Sequence, residues 1–307
     1  MTTRQLFTGC GTALVTPFTR AGAVDAAALR RLVRRQIESG IHFLVPCGTT
    51  GENPTLSAAE RRRVVEIVIE ECQGRVPVLA GAGGYCTEDT AKLAVQMARS
   101  GAAGVLSVTP YYNKPTPDGL YRHFAEIAGR SGVPVVLYNV PGRTGCHIDL
   151  PTLARLTTIP GVAGIKEASG NVSHIAGVVA QAPPHFVVLS GDDALTLPVM
   201  ALGGHGVISV ASNEAPRQMA GLVEAIERGD LASARQQHLA LLALMEVNFV
   251  ESNPIPVKAA LAAMGLIEEA YRLPLVPPRD ASRQRILSVL DAMGLLGGAA
   301  LAGENAA

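Results

Sequence analysis

The sequence predicts an α/β chain built as a (β/α)8 barrel over residues 1–228, followed by a C-terminal helical domain over residues 229–307. Three observations carry that expectation. Eight short apolar, β-branched runs recur along the chain: GTALVTP around Thr12, HFLVPC from His42, VPVLAG from Val76, AGVLSVTP from Ala103, VPVVLYN from Val133, VAGIKE from Val162, HFVVLSG from His185 and HGVISV from His205. Their spacing of roughly 20 to 35 residues leaves room for one helix and two loops in each interval, which is the βα unit of a parallel sheet. Most of the runs are continuously apolar rather than alternating, as strands are when both faces are covered. An open doubly wound sheet competes with the barrel, but no GxGxxG follows the first strand and eight units are many for it.

The helices between the strands can be justified in order. In the first interval Asp25 is a natural N-cap, Leu29, Leu32, Val33, Gln36 and Ile37 follow helical spacing, and Gly40 lies where a C-terminal stop belongs. In the second, Ser57 and Glu60 form a capping box ahead of Val64, Val65, Ile67 and Val68. Thr87 is expected to cap the third helix, with Glu88 and Asp89 complementing the helix dipole. Gly203-Gly204-His205-Gly206 precedes a strand rather than a helix, so it reads as a tight turn and not a phosphate loop. Beyond residue 228 come an alanine- and leucine-rich helical segment around 230–247 and Asn253-Pro254-Ile255-Pro256, whose prolines suit the first turn of a helix. The small-residue tail from Gly297 is expected to fray.

Composition narrows the function. With 307 residues, 48% hydrophobic and 17% charged, the chain can bury a sizeable core and is not a disordered one. Its 26 basic and 26 acidic residues cancel, which argues against nucleic acid or another polyanion as partner. Arg61-Arg62-Arg63 face Glu60, Glu66 and Glu70 and read as a solvated helix face. The five cysteines, Cys10, Cys47, Cys72, Cys86 and Cys146, show no zinc-site spacing and suit a reducing compartment. The seven histidines form no HxH or HExxH pattern and are read as structural or surface residues. Met1-Thr2-Thr3-Arg4-Gln5-Leu6 lacks the apolar core expected of a signal peptide, and no run of about 18 apolar residues occurs in the sequence, so a cytoplasmic protein with no membrane partner and no bound metal is expected.

Barrel enzymes place their chemistry at the C-terminal ends of the strands. That rule selects Gly48-Thr49-Thr50-Gly51-Glu52, Pro110-Tyr111-Tyr112-Asn113, Tyr138-Asn139-Val140-Pro141-Gly142-Arg143, Lys166-Glu167, Gly191-Asp192-Asp193 and Ile208-Ser209. Of the four lysines, Lys92, Lys114 and Lys258 look ordinary, whereas Lys166 stands inside an apolar run. An amine there is costly to keep charged, which calls for a partner such as Glu167 or for the neutral, nucleophilic form able to make a Schiff base. One strand earlier, Tyr138 either relays a proton or simply packs, and Arg143 can grip a carboxylate by two parallel hydrogen bonds. Thr49 and Thr50 offer hydroxyls and backbone N–H groups for a carboxylate, or form a structural turn.

Taken together, GTTGE at 48–52, TPYYNKP at 109–115, YNVPGRTG at 138–145, IKEASG at 165–170, LSGDD at 189–193, GGHGVISV at 203–210 and NPIPVK at 253–258 resemble the dihydrodipicolinate synthase family of pyruvate-dependent class I aldolases and lyases. The resemblance runs from about Gly9 to about Leu296 and implies a (β/α)8 TIM barrel with a C-terminal helical domain, assembled as a homotetramer from two dimers. It implies that Lys166 forms a Schiff base with pyruvate and that Tyr138 transfers protons, linked through Thr49 to Tyr112 of a neighbouring subunit. Thr50 and Ile208, with backbone contact near Gly191, would hold pyruvate, and Arg143 would receive the carboxylate of L-aspartate 4-semialdehyde. Neither cofactor nor metal is implied, because the protonated imine is the electron sink. The effector-site histidines and asparagine of lysine-inhibited members are replaced here by Ala58, Arg61 and Tyr85, with Tyr111 retained, so weak or absent lysine inhibition is expected. Competing expectations are a related aldolase with another aldehyde, of the N-acetylneuraminate or sugar-acid lyase type, a phosphate-binding barrel isomerase, and a silent relative that only binds.

Overall fold

The computed structural model of the chain describes residues 6–296, so the tail from Gly297 lies outside the described residues. Eight strands, β1 (Gly9–Ala13), β2 (Phe43–Val45), β3 (Leu79–Gly81), β4 (Gly104–Val108), β5 (Val135–Asn139), β6 (Val162–Glu167), β7 (Val187–Ser190) and β8 (Gly206–Ser209), pair in parallel in the order β2-β1-β8-β7-β6-β5-β4-β3. The two ends of that sheet meet. Leu44 bridges to Val78 in parallel, with the Leu44 N–H donating to Pro77 O (3.1 Å) and the Gly81 N–H to Pro46 O (2.9 Å), so the predicted barrel closes.

Around the strands run α1 (Ala26–Glu38), α2 (Ala58–Cys72), α3 (Thr87–Arg99), α4 (Pro117–Ser131), the single turn α5 (Pro141–Thr144), α6 (Leu150–Leu156), α7 (Val172–Gln181), α8 (Thr196–Ala201) and α9 (Pro216–Glu227). The continuous apolar runs are explained by burial on both faces. One set of side chains, including Phe43, Leu79, Val136, Leu189 and Ile208, fills the barrel interior. The other set, including Leu44, Leu137, Ile165 and Val188, packs outward against helix residues such as Leu29, Val65, Met97 and Phe124. Neighbours in a strand, such as Val136 and Leu137, therefore serve different cores.

The helix signals match with one correction. Asp25 accepts the Ala28 N–H at 2.9 Å, Gly40 follows the C-cap of α1 with φ +87°, and both arms of the Ser57–Glu60 capping box are formed. Thr87, expected as a cap, is instead the first helical residue of α3, and Cys86 is the N-cap with no side-chain bond. The Thr87 hydroxyl is directed to His123 on α4, 2.9 Å from its Nδ1. Tertiary pairing has taken the hydroxyl that local spacing assigned to the helix end. Residues 203–206 form a turn into β8, as the sequence indicates, with the His205 N–H bonded to Val188 O at 2.7 Å.

Burial of His123 lowers its pKa from the ordinary value to about 4. The unfolded chain, with a histidine titrating near pH 6.5, then binds the extra proton between about pH 6.5 and 4, so this side chain makes folding less favourable as pH falls through that window. His123→Gln removes the titration. Relative to wild type, its unfolding free energy is expected to rise on acidification by up to about 1.4 kcal/mol per pH unit in that window. Urea unfolding of both proteins at pH 7, 6 and 5 measures it, and parallel pH profiles would count against it.

The C-terminal extension comprises α10 (Leu231–Val247), α11 (Ile255–Ala263) and α12 (Asp280–Ala292). The sequence expectation of an ordinary Lys258 is corrected. Its ammonium is wholly buried in an ion pair with Glu52, 4.3 Å from the ring centroid of Phe18 and 5.3 Å from that of Tyr271. Nearby Arg272 pairs bidentately with Glu60, at 2.5 and 2.9 Å, and bonds the backbone oxygens of Gly22 and Thr55. The extension is thereby tied to the loop after β2 and to the start of α2.

Candidate active site

The site begins with the pairing register of β5, β6 and β7. Tyr138 lies directly beside Lys166, and Lys166 beside Leu189. Because side chains alternate along a strand, this register points Lys166 and Tyr138 into the barrel and turns Glu167 away from it. Glu167 accepts from Asn139 Nδ2 at 2.7 Å and from the Ser169 N–H at 2.8 Å. A bridge between Lys166 and Glu167 is therefore absent, and among the described residues no carboxylate pairs with Lys166. Its Nζ sits 4.4 Å from the centre of the Tyr138 ring, and the residue is only 6% exposed.

Lys166 faces a cavity of about 130 Å³ lined by Thr49, Thr50, Tyr138, Arg143, Gly191 and Asn253, among others. Thr49, Tyr138, Val140 and Arg143 also line an adjoining cavity of about 240 Å³, whose walls include Leu106, Val108, Tyr111 and Cys47. Lys166 thus lies buried against the smaller, mixed polar and apolar cavity, while the exposed Arg143 borders both cavities. Arg143 comes from α5, the one-turn helix that follows β5, and its Nη2 donates to the backbone oxygen of Asn253 at 3.2 Å. Burial pushes the Cys47 thiol up to about 12, which leaves it protonated and unreactive at neutral pH.

Six of the eight sequence-selected residues, Lys166, Tyr138, Thr49, Thr50, Arg143 and Gly191, meet at the smaller cavity. The other two do not. Ile208 is buried in the apolar filling of the barrel interior. Tyr112 is 92% exposed and held by a turn with φ +69°, a conformation costly for a residue with a side chain. Beside it, Tyr111 packs edge-on against Tyr85 at 5.2 Å, and with Ala58 and Arg61 these residues line a third cavity, of about 590 Å³, which shares the Tyr111 wall with the 240 Å³ cavity.

Gly191 has a steric reason to be glycine. A Cβ there would lie 2.6 Å from Ala168 Cβ and 3.0 Å from Lys166 Cε. Gly191→Ala is expected to push the lysine arm aside and, under the Schiff-base chemistry that the motif resemblance implies, to lower kcat by about 100-fold, the usual cost of misplacing a reacting group by about 1 Å. Steady-state kinetics and the rate of borohydride trapping with pyruvate would both register it; unchanged trapping would refute the packing account.

Sequence spacing missed Asn253 and Phe249, which enter the cavity from the segment between α10 and α11. The only local signal for Asn253 was its place ahead of Pro254, which indicates a helix start and nothing about the barrel mouth.

Comparison with known proteins agrees with this fold. The Dihydrodipicolinate synthetase family matches residues 6–293. The 4-hydroxy-tetrahydrodipicolinate synthase of Koribacter versatilis (strain Ellin345) is 52% identical over 295 residues, which is 96% of this chain and 98% of its own length. Among solved structures, dihydrodipicolinate synthase from Thermotoga maritima superposes with a TM-score of 0.93 at 47% identity, covering 95% of this chain and 100% of that one. The dihydrodipicolinate synthase from Acinetobacter baumannii, described as chloride inhibited and complexed with pyruvate, gives a TM-score of 0.93 at 39% identity, over 94% and 99% of the two chains. Similarity of this extent, in sequence and in backbone, means that the chain belongs to the dihydrodipicolinate synthetase family.

Proposed function

We propose that this chain condenses pyruvate with L-aspartate 4-semialdehyde, the reaction of 4-hydroxy-tetrahydrodipicolinate synthase, through a Schiff base on Lys166. The observation that carries the reading is the Lys166 amine, without a carboxylate partner among the described residues, facing Tyr138 at a cavity that Arg143 borders. The amine adds to the keto carbon of pyruvate and water leaves, giving an imine. Loss of a methyl proton forms the enamine, whose carbon attacks the aldehyde. The amino group of the second substrate then attacks the imine carbon, closing the ring and releasing Lys166. Throughout, the protonated imine takes up the electron pair, so this route calls on neither metal nor cofactor.

Tyr138 is suited to carry the protons, since it is the nearest tyrosine to the amine along the strand pairing. The Thr50 hydroxyl would receive the pyruvate carboxylate, with Gly191 and Ile208 shaping that end. Arg143 would hold the carboxylate of the semialdehyde in a two-bond clamp. An exposed Tyr112 on a strained turn supports an assembly in which a second copy covers it, as in the homotetramer we propose, with Tyr112 linked through Thr49 to Tyr138 of the neighbour. Five unpaired thiols suit the reducing cytoplasm.

The test uses the intact protein. Incubation with pyruvate and borohydride, followed by peptide mass spectrometry, should place one adduct on Lys166, and turnover with L-aspartate 4-semialdehyde should exceed that with N-acetylmannosamine by orders of magnitude. An adduct with the opposite aldehyde preference would move the chain to another aldolase activity. No adduct would remove the mechanism.

A further inference from the structure

Asn253 stands at an unusual junction. It belongs to the C-terminal extension and is 5% exposed, yet it lines the cavity that holds Lys166. Its side-chain Nδ2 donates to Thr50 Oγ1 at 3.0 Å, while its backbone oxygen accepts from Arg143 Nη2 at 3.2 Å. The same two stretches of chain are joined again close by, where Lys258 pairs with Glu52, two residues beyond Thr50. One residue therefore touches both groups assigned to substrate carboxylates in the reading proposed above, on which this inference rests.

The direction of the Thr50 bond matters chemically. A hydroxyl has one proton to give and two lone pairs to fill. With a lone pair of Thr50 filled by the Asn253 amide, and no protein acceptor for its proton among the described residues, the hydroxyl is left to donate into the cavity. A keto-acid carboxylate beside Lys166 is an acceptor that matches it. We infer that Asn253 is a positioning residue for the pyruvate carboxylate: its amide sets the polarity of the Thr50 hydroxyl so that Thr50 always donates.

A carboxylate at the same place would reverse that bond, taking the Thr50 proton and setting a negative charge beside the substrate's own. The residue must then be a neutral donor and not merely a space filler. The Arg143 contact uses the backbone oxygen of Asn253, so side-chain replacements disturb the pyruvate end and spare the aldehyde end.

The experiment compares wild type, Asn253→Ala and the near-isosteric Asn253→Asp by steady-state kinetics in both substrates between pH 6 and 9, with borohydride trapping against pyruvate concentration. Asn253→Ala should raise KM for pyruvate about tenfold, the order of one lost hydrogen bond, with a much smaller change in KM for the semialdehyde. Asn253→Asp should raise it by about 100-fold or more, and this excess over wild type should shrink toward the acid end of the range, because burial beside the substrate's own carboxylate raises the new carboxyl's pKa and its neutral form can again donate to Thr50. A merely structural role would not give that pH dependence. Trapping in wild type with an aspartate variant whose pyruvate KM matches wild type across the pH range would overturn the inference alone. Absence of a Lys166 adduct in wild type would instead overturn the underlying reading, and this inference with it.

Discussion

Lys166→Met should lower kcat by at least about a thousandfold and abolish trapping of pyruvate by borohydride, while leaving the barrel folded. The loss follows from the route: without the amine there is no imine, no electron sink and no stabilised carbanion, so a barrier increase of about 4 kcal/mol or more is the minimum. Methionine keeps the apolar stem in its slot beside Gly191 and Tyr138 and removes only the nucleophile. Because the amine has no ion-pair partner to strand among the described residues, the melting temperature should stay the same or rise, as is common when a functional group is taken out of an apolar site. Lys166→Arg serves as a second check. A guanidinium keeps the charge but cannot add to a ketone under these conditions, so it should be equally inactive. Turnover by either variant within tenfold of wild type would exclude Lys166 as the nucleophile.

Lys258→Met is expected to act in the opposite way, through stability. The Lys258–Glu52 pair is sealed from solvent, and burial pulls the ammonium pKa down from its ordinary value while the Glu52 carboxylate opposes that shift. Removing the ammonium leaves Glu52 buried, with the Arg272 N–H at 3.4 Å as its remaining donor. Breaking one side of such a pair costs about 3–5 kcal/mol, because the orphaned charge has lost both water and partner. Replacing both members costs far less, so Lys258→Met with Glu52→Gln should recover most of the deficit. Urea unfolding of the two single variants and the double variant closes the cycle. Near-additive losses would show that the two groups do not depend on each other. Activity of the single variant should fall as well, since Glu52 ends the turn that carries Thr49 and Thr50.

How much could be read from the sequence depended on how far apart the interacting residues lie. The βα repeat was legible because each unit is local: a strand run, a cap such as Asp25 or Ser57, and a helix of matching period. Lys166 stood out for the same reason, as a cation inside an apolar strand, and strand alternation then decided between a partner in Glu167 and a free amine facing the barrel. Thr87 was misread because its hydroxyl answers to His123, 36 residues on. Lys258 and Asn253 were beyond reach. Their partners, Glu52 and Thr50, lie more than 200 residues away, and nothing in the local spelling of NPIPVK distinguishes a helix start on the surface from one docked on the barrel mouth.

The tie between the extension and the loop after β2 bears on the protein while it is still being made. A ribosome releases the chain from its N-terminus, so Thr50, Glu52, Tyr138 and Lys166 are all present long before Asn253, Lys258 and Arg272 emerge. Until then the emerging chain holds Glu52 without its counter-ion, and the cavity beside Lys166 lacks the wall that Phe249 and Asn253 supply. On the reading proposed above, the late segment acts as a completion check: a chain cut short before residue 253 would carry Lys166 but lack the residue inferred to position the pyruvate carboxylate.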